Sequence, residues 1–254
     1  MKAVVLVAGY ATRLYPLTKD RPKSLLPIGN RTVLDFTFDR LATVEGLDTV
    51  FLVTNSRFYE PFARWWEERM GARPWPWRHL EIVDDGTWDN ESRLGAIGDL
   101  QFALERYSIR DDLLVTAGDN IFPFAFSEPV RYFETVGFDV ITVYELHDRE
   151  RLRRTGVAQV DATGRVLSFQ EKPAEPASNL ATPPFYLLKA ETLPYVARYL
   201  EEGNSRDAPG HLIAWLCARR PVYAWRFEGE VLDIGHLESY RRACQMLRGA
   251  APFG

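Results

Sequence analysis

Cysteine is nearly absent from this sequence: Cys217 and Cys244 are the only two in 254 residues, and both fall in helix-like patterns. Two such thiols build no disulfide framework and read as free, buried groups in a reducing compartment. Histidine is scarce too. His79, His147, His211 and His236 show no metal-ligand spacing and no cysteine adjoins them, which argues against a zinc site. Charge of one sign is also missing. The formal net charge is -4, from 31 Lys and Arg against 35 Asp and Glu. Without a basic field, no nucleic-acid partner is expected, and any anion site must be a local cluster of Arg and Lys. No apolar run approaches the ~20 residues of a membrane span. The opening run MKAVVLVAG is too short for a signal peptide and ends in glycine rather than a cleavage site. A cytoplasmic protein with no membrane partner is expected. There is no internal repeat and no low-complexity tract.

What is present is enough apolar residue, 46%, for a sizeable core. The first half alternates strand-like and helix-like segments. Ala3–Val7, Thr49–Thr54, Leu80–Val83 and Asp112–Thr116 read as strands; Thr32–Val44, Arg57–Met70 and Leu94–Arg106 read as helices. This order predicts an α/β fold, a Rossmann-like, mostly parallel central sheet with helices on both faces. Ligands of such sheets bind beyond the carboxyl ends of the strands. In the second half, Val140–Tyr144, Val157–Val160, Val166–Gln170, Val222–Phe227 and Val231–Ile234 are strand-like, with a hairpin turn at Ala162-Thr163-Gly164. Helices are expected at Glu191–Glu202, His211–Arg219 and Leu237–Leu247, and Asn204–Gly210 as a loop at a site rim or between helices.

After the first strand the chain reads Gly9-Tyr-Ala-Thr-Arg-Leu-Tyr-Pro-Leu-Thr18, then Arg21-Pro-Lys-Ser-Leu-Leu-Pro27. A loop of small residues after a strand lets backbone N–H groups approach a phosphate chain. Arg13 adds a planar donor fork and Lys23 a point charge. By itself this loop is equally compatible with two solvated cations on an ordinary turn.

The full string resembles the signature of the sugar-phosphate nucleotidyltransferases, which include glucose-1-phosphate thymidylyl- and uridylyltransferases: G-x-G-T-R-L-x-P-L-T, then P-K-x-L-L-P. The likeness runs along nearly the whole chain, through Gly118-Asp119-Asn120, Thr155-Gly156-Val157, Phe169-Gln-Glu-Lys-Pro173 and Asp233-Ile-Gly235 before a helix containing Ser239-Tyr240. It implies a GT-A-like fold of one domain, with a nucleotide-binding half over residues 1–120 and an acceptor-binding half over 121–254 that includes a small β-rich sugar-binding subdomain. It implies a transfer in which an acceptor phosphate attacks the α-phosphorus of a nucleoside triphosphate and pyrophosphate leaves. Arg13 and Lys23 would be catalytic, and Asp119 and Asp233 would hold Mg²⁺. The nucleotide would lie against Ala8, Gly9, Tyr10, Ala11, Thr12, Arg13, Asn90 and Gly95, and a sugar 1-phosphate against Gly156, Glu171 and Lys172. Physical chemistry agrees: two repelling anions must be neutralised and held in line, and Mg²⁺ favours a few carboxylates plus phosphate oxygens and water.

Three departures from the family pattern stand out. Ala11 replaces the second loop glycine, a harmless change if its φ is negative. The stretch Thr87–Ala96 lacks the base-reading glutamine, leaving Asn90 as the nearest amide. Thr182-Pro183-Pro184-Phe185-Tyr186 replaces an Asn/Thr-x-Gly sugar contact, which keeps inositol phosphate, phosphocholine and phosphonate acceptors open. No appended β-helix is expected after the last helix. Trp65, Trp66, Trp75, Trp77 and Trp88, with Pro74 and Pro76 between them, read as packing residues in preference to an oligomer surface or a base platform. A homo-oligomer is compatible with the sequence. A catalytically silent sugar-nucleotide-binding module and a related glycosyltransferase are the competing readings. Arg13, Lys23, Asp119 and Asp233 are all retained against the first, and Gly118-Asp119-Asn120 lacks the first carboxylate of an Asp-x-Asp motif against the second.

Overall fold

A computed structural model describes residues 1–72 and 75–247; Pro74 and the chain end at 248–254 lie outside the described residues. The opening apolar run is strand β1 (Lys2–Leu6). Two brief strands, β2 (Pro27–Ile28) and β3 (Arg31–Thr32), pair antiparallel by themselves. Helix α1 (Val33–Leu41) starts at Thr32 because of a capping box. The Asp35 N–H donates to the Thr32 hydroxyl at 3.3 Å, and the Thr32 N–H donates to the Asp35 carboxylate at 2.6 Å. Strand β4 (Thr49–Thr54) has the expected bounds and is buried at every position, as a strand covered on both faces must be. Then come α2 (Tyr59–Ala72), β5 (His79–Asp84), α3 (Ala96–Arg106) and β6 (Leu113–Ala117).

The rest of the chain holds β7 (Asn120–Ile121), α4 (Ser127–Val136), β8 (Asp139–Glu145), α5 (Arg149–Leu152), β9 (Gly156–Val160), β10 (Val166–Glu171), β11 (Leu180–Thr182) and β12 (Phe185–Leu188). It ends with α6 (Pro194–Glu201), α7 (Pro209–Cys217), β13 (Val222–Arg226), β14 (Leu232–Asp233) and α8 (Leu237–Leu247). Helix α4 was not among the helices expected from the sequence. Pro129 lies in the first turn, where an N–H has no helical partner to lose.

The described residues form a ten-stranded sheet in the order β10-β9-β11-β8-β12-β6-β1-β4-β5, with β13 against β8. It is parallel only in part, which corrects the mostly parallel expectation. The pairs among β6, β1, β4 and β5 are parallel, as is β8 with β13, but β12 returns antiparallel between β6 and β8. The segment from β11 to β12 stays antiparallel to β8 while its second partner changes from β9 to β6. Pro183 and Pro184 mark the change, since neither has an N–H to carry a ladder bond. The expected β-rich subdomain is therefore an extension of the one sheet.

Side chains alternate across this sheet into two cores. Val5, Leu52, Leu114 and Phe185 face one core with Phe38 of α1, Phe62 of α2 and Phe133 of α4. Val4, Phe51, Val115 and Tyr186 face the other with Ile97 of α3, Val196 of α6 and Leu216 of α7. Each fully buried aliphatic or aromatic side chain contributes about 1.5–3 kcal/mol. Trp65 and Trp77 are buried in the first core around Phe38, with ring centroids 4.8 and 5.6 Å from it, as packing residues should be. Trp88 alone of the expected group stands exposed, at 67%. Both cysteines are free but only half-buried, which corrects the buried-thiol expectation. Among the described residues, no helix is long and apolar enough to cross a membrane.

Candidate active site

The loop after β1 leaves the sheet where β4 and β6 also end. The Val7 N–H donates to Val53 O at 2.9 Å and the Gly118 N–H to Leu6 O at 3.1 Å, so the chain runs level with both neighbours up to its turn. Gly118 permits this approach: a β-carbon there would lie 2.4 Å from Val7 Cγ1. The Ala8 carbonyl is fixed by Asn55 Nδ2 at 2.7 Å. Gly9 is exposed and a β-carbon there would touch nothing within 4 Å, so its backbone faces open space. Tyr10 points inward, its hydroxyl 3.0 Å from Thr87 Oγ1, so only its backbone is offered to a ligand. Ala11 has φ 48 and ψ 43, in the left-handed region. The negative φ that would make the alanine harmless is not found. The strain is on the order of 1–2 kcal/mol, held by Thr18 Oγ1 and the Leu14 N–H, which donate to the Ala11 carbonyl at 2.8 and 3.0 Å. Thr12 and Arg13 follow in a short 3₁₀ turn, both exposed, and Arg13 makes no ion pair among the described residues.

The two aspartates, 114 positions apart in sequence, arrive together through one small ladder. Strand β14 pairs antiparallel with β7, setting Asp233 opposite Asn120, and the Ile234 N–H donates to Asp119 O at 3.0 Å. A third apolar cluster, with Leu14, Ile121, Leu232, Ile234 and Ala243, packs beneath this ladder. Asp119 is buried, and Asn120 Nδ2 donates to its carboxylate at 2.9 Å. Lys23 closes an ion pair on Asp119. Burial works against the Lys23 charge, but Asp119 in contact and Asp233 nearby outweigh it, so its pKa is raised. The Asp233 side chain is open to solvent, yet the protein mass around it and then the Asp119 charge push its carboxyl above the ordinary value. Gly235 gives it room, since a β-carbon there would lie 2.8 Å from Asp233 Oδ2. Two like charges with one lysine between them suit a divalent cation. Among the described residues no group of three or more His, Cys, Asp or Glu could hold a metal by itself. Two carboxylates are what Mg²⁺ takes when phosphate oxygens and water complete its shell.

The second loop at this edge runs from β5 to α3. Asp89 ties it into a tight turn, accepting from the Glu91 and Ser92 N–H groups at 3.0 and 2.8 Å. Asn90 and Trp88 are exposed on it. Gly95, φ 81, is the N-cap of α3. Below the loop, Asp85 and Asp99 are buried as a pair, each with one oxygen that has no other partner. Burial and then the charge of Asp85 push Asp99 up to about 8, so the pair shares a proton at neutral pH.

The residues expected to bind the acceptor form a row across three strands. Glu171 on β10 is the register partner of Gly156 on β9, and Gly156 is the partner of Thr182 on β11. A β-carbon on Gly156 would lie 2.5 Å from Phe169 Cζ and 3.2 Å from Thr182 Oγ1. Thr182 is 2% exposed, and its hydroxyl has no partner among the described residues. Lys172 takes a left-handed φ of 48, and its N–H donates to Thr155 O at 3.1 Å. Its ammonium is exposed, 3.5 Å from Glu171 Oε1. Tyr186 is buried beneath, where burial and then the Glu171 charge raise its phenol. Thr182 and Tyr186 entered the sequence reading only as part of a departure. Nothing local could reveal them, because their place depends on strand register.

Comparison with known proteins identifies the family and the fold. A family model described as "Nucleotidyl transferase" matches residues 2–249. A protein provisionally named mannose-1-phosphate guanyltransferase, from Sulfolobus acidocaldarius, is 30% identical over 244 residues, covering 95% of this chain and 62% of that protein. The UTP–glucose-1-phosphate uridylyltransferase AglF of Haloferax volcanii is 26% identical, covering 98% of this chain and 97% of that one. A solved structure, a provisionally named glucose-1-phosphate thymidylyltransferase of Bacillus anthracis in complex with sucrose, has the same fold, with a TM-score of 0.79 at 23% identity, covering 100% and 97% of the two chains. The chain spans less than two thirds of the length of several curated relatives, 62% for the Sulfolobus protein.

Proposed function

This chain belongs to the nucleotidyl transferase family, and we propose that it joins a nucleoside triphosphate to a sugar 1-phosphate, releasing pyrophosphate. The observation that carries the reading is the convergence of Lys23, Asp119 and Asp233, with the charge of Arg13 acting on the same group, at the edge where β1 and β6 end. An acceptor phosphate oxygen attacks the α-phosphorus, the bond from that phosphorus to the β-phosphate oxygen breaks, and pyrophosphate departs with the electron pair. No covalent intermediate on the protein is needed.

The open backbone at Gly9 to Thr12 cradles the phosphate chain, and Arg13 stabilises charge as it builds on the leaving group. Lys23 lies between the anions and lowers their repulsion. Asp119 and Asp233 would hold Mg²⁺, which when bound polarises the phosphoryl oxygens. Lys172, exposed at the end of the row, grips the acceptor phosphate, while Glu171, Gly156 and the unpartnered Thr182 hydroxyl face its hydroxyl groups. Those polar groups favour a polyhydroxylated acceptor over phosphocholine, whose trimethylammonium head offers no hydroxyl.

Relatives are named for guanylyl, uridylyl and adenylyl transfer, so the family leaves the base open. The Asn90 amide, able to meet donor or acceptor edges, would read it here. Pyrophosphate release from a panel of ATP, GTP, UTP, CTP and dTTP against glucose, mannose and inositol 1-phosphates tests the reading. Release from at least one pair, abolished by chelator and restored by Mg²⁺, is expected. Nucleotide binding without release from any pair would favour the silent module.

A further inference from the structure

The segment Asn204–Gly210 is not absorbed by that mechanism, yet it touches both subsites. Its path is held from behind: Asn204 Nδ2 donates to Tyr199 O and the Tyr199 hydroxyl to Ser205 O, both at 2.9 Å. At the nucleotide end the Ile97 N–H, one of the unsatisfied donors in the first turn of α3, donates to Arg206 O at 2.8 Å. The same carbonyl would lie 2.6 Å from a β-carbon on Gly95, so α3 and this segment are in backbone contact. Arg93, on the loop that carries Asn90, donates to both carboxylate oxygens of Asp207 at 3.3 and 3.2 Å and to Asn90 O at 2.6 Å. At the acceptor end the segment enters α7, and a β-carbon on Gly210 would lie 1.9 Å from Glu171 Oε2 and 3.0 Å from Phe169 Cε1. Glu171 can lie where it does only because residue 210 is glycine.

We infer that this segment is a bridge that couples the two substrates: Gly210 positions the acceptor-facing Glu171, and the Arg93–Asp207 pair links that placement to the loop that reads the base. The inference rests on the proposed transferase reading and goes beyond it. Arg93 and Asp207 are both largely exposed, and a pair of this kind adds little to folding stability. Its two-point contact is a side-chain link from the loop that carries Asn90 to this segment, added to the backbone contact that Arg206 makes with Gly95 and Ile97. A ligand ordering either loop therefore preorganises the other, and the coupling is reciprocal.

The test uses the nucleotide and sugar 1-phosphate that wild type turns over in the panel above. Saturating acceptor should lower the nucleotide KM by about 5-fold or more, the usual lower end of such coupling. Arg93→Asp and Asp207→Arg should each bring that ratio to about one, and the double reversal should restore it. Gly210→Ala should raise the acceptor KM by about tenfold or more, with nucleotide Kd, measured by calorimetry without acceptor, unchanged. Should Gly210→Ala fail to fold, the surface reversals decide the matter alone. Turnover in wild type without coupling, or coupling that persists in both single reversals, overturns the bridge and leaves the transferase reading standing. Absence of any nucleotide binding in wild type overturns both.

Discussion

The two ends of the candidate site are built on opposite plans. The proposed nucleotide end lies where parallel strands β1, β4 and β6 finish together, so the loop from Gly9 onward meets it as one continuous stretch. The proposed acceptor end is a row across antiparallel strands, Glu171 to Gly156 to Thr182, whose members come from three separate stretches. The first plan places phosphate-facing backbone next to its own cations. The second places side chains by register, so a one-residue slip would turn the row to the other face. The nucleotide end should therefore tolerate changes in the acceptor strands, and the acceptor end should fail selectively.

Removing the carboxylates proposed to serve both ends should have the largest effect. Asp119→Asn and Asp233→Asn are each expected to lower kcat by ~10²-fold or more, by analogy with losing one transition-state stabiliser, with the far-ultraviolet spectrum unchanged. Full turnover in either variant would take that residue out of the metal site. At the nucleotide end, Arg13→Ala should lower kcat more than it raises the nucleotide KM, while Lys23→Ala should weaken both substrates. An unchanged kcat for the arginine variant would make that loop a positioning element only.

At the acceptor end, Lys172→Ala should raise the sugar-phosphate KM by roughly 10–150-fold, the loss of about 1.5–3 kcal/mol from a charged hydrogen bond. Calorimetry with nucleotide alone should give the wild-type Kd. An equal loss in that titration would move Lys172 to the nucleotide end and dissolve the contrast between the two plans.

The remaining expectations concern stability of the nucleotide end. Asp99 is held at about 8, far above a carboxyl in the unfolded chain, so the folded form keeps a proton the unfolded form has released. That stabilisation is complete below the unfolded value and is lost as pH rises through about 8. Asp139, raised to about 6 by burial, loses its own contribution at lower pH. Thermal melts should fall between about pH 6 and 8, and Asp99→Asn should flatten that stretch. A wild-type melting temperature level across it would rule out the shared proton. The smallest effect is expected at Ala11→Gly. Relief of a left-handed alanine, about 1–2 kcal/mol, is offset by about 0.5–1 kcal/mol of extra chain entropy, leaving a gain of up to roughly 1.5 kcal/mol in denaturant titrations. A loss of stability would show that the alanine methyl has packing that outweighs its strain.

Much of this molecule was readable in one dimension. The buried strand Thr49–Thr54 and the helix Leu237–Leu247 have the bounds predicted from a continuous apolar run and from helical spacing, because a strand covered on both faces is apolar throughout while a helix repeats its buried face. The string from Gly9 to Pro27 was legible as a family signature because its residues are contiguous in the chain, and the family match covers them. Tertiary structure alone decided which distant residues meet. It brought Asp233 to Asp119 through a ladder of two-residue strands, changed partners at Pro183-Pro184, and left the Thr182 hydroxyl without a partner among the described residues, beside Gly156. It also put Gly210 beneath Glu171 and Ala11 into a left-handed turn. Periodicity records which face of an element is buried; it carries no record of the partner against which that face is buried, and register and close approach are properties of the partner.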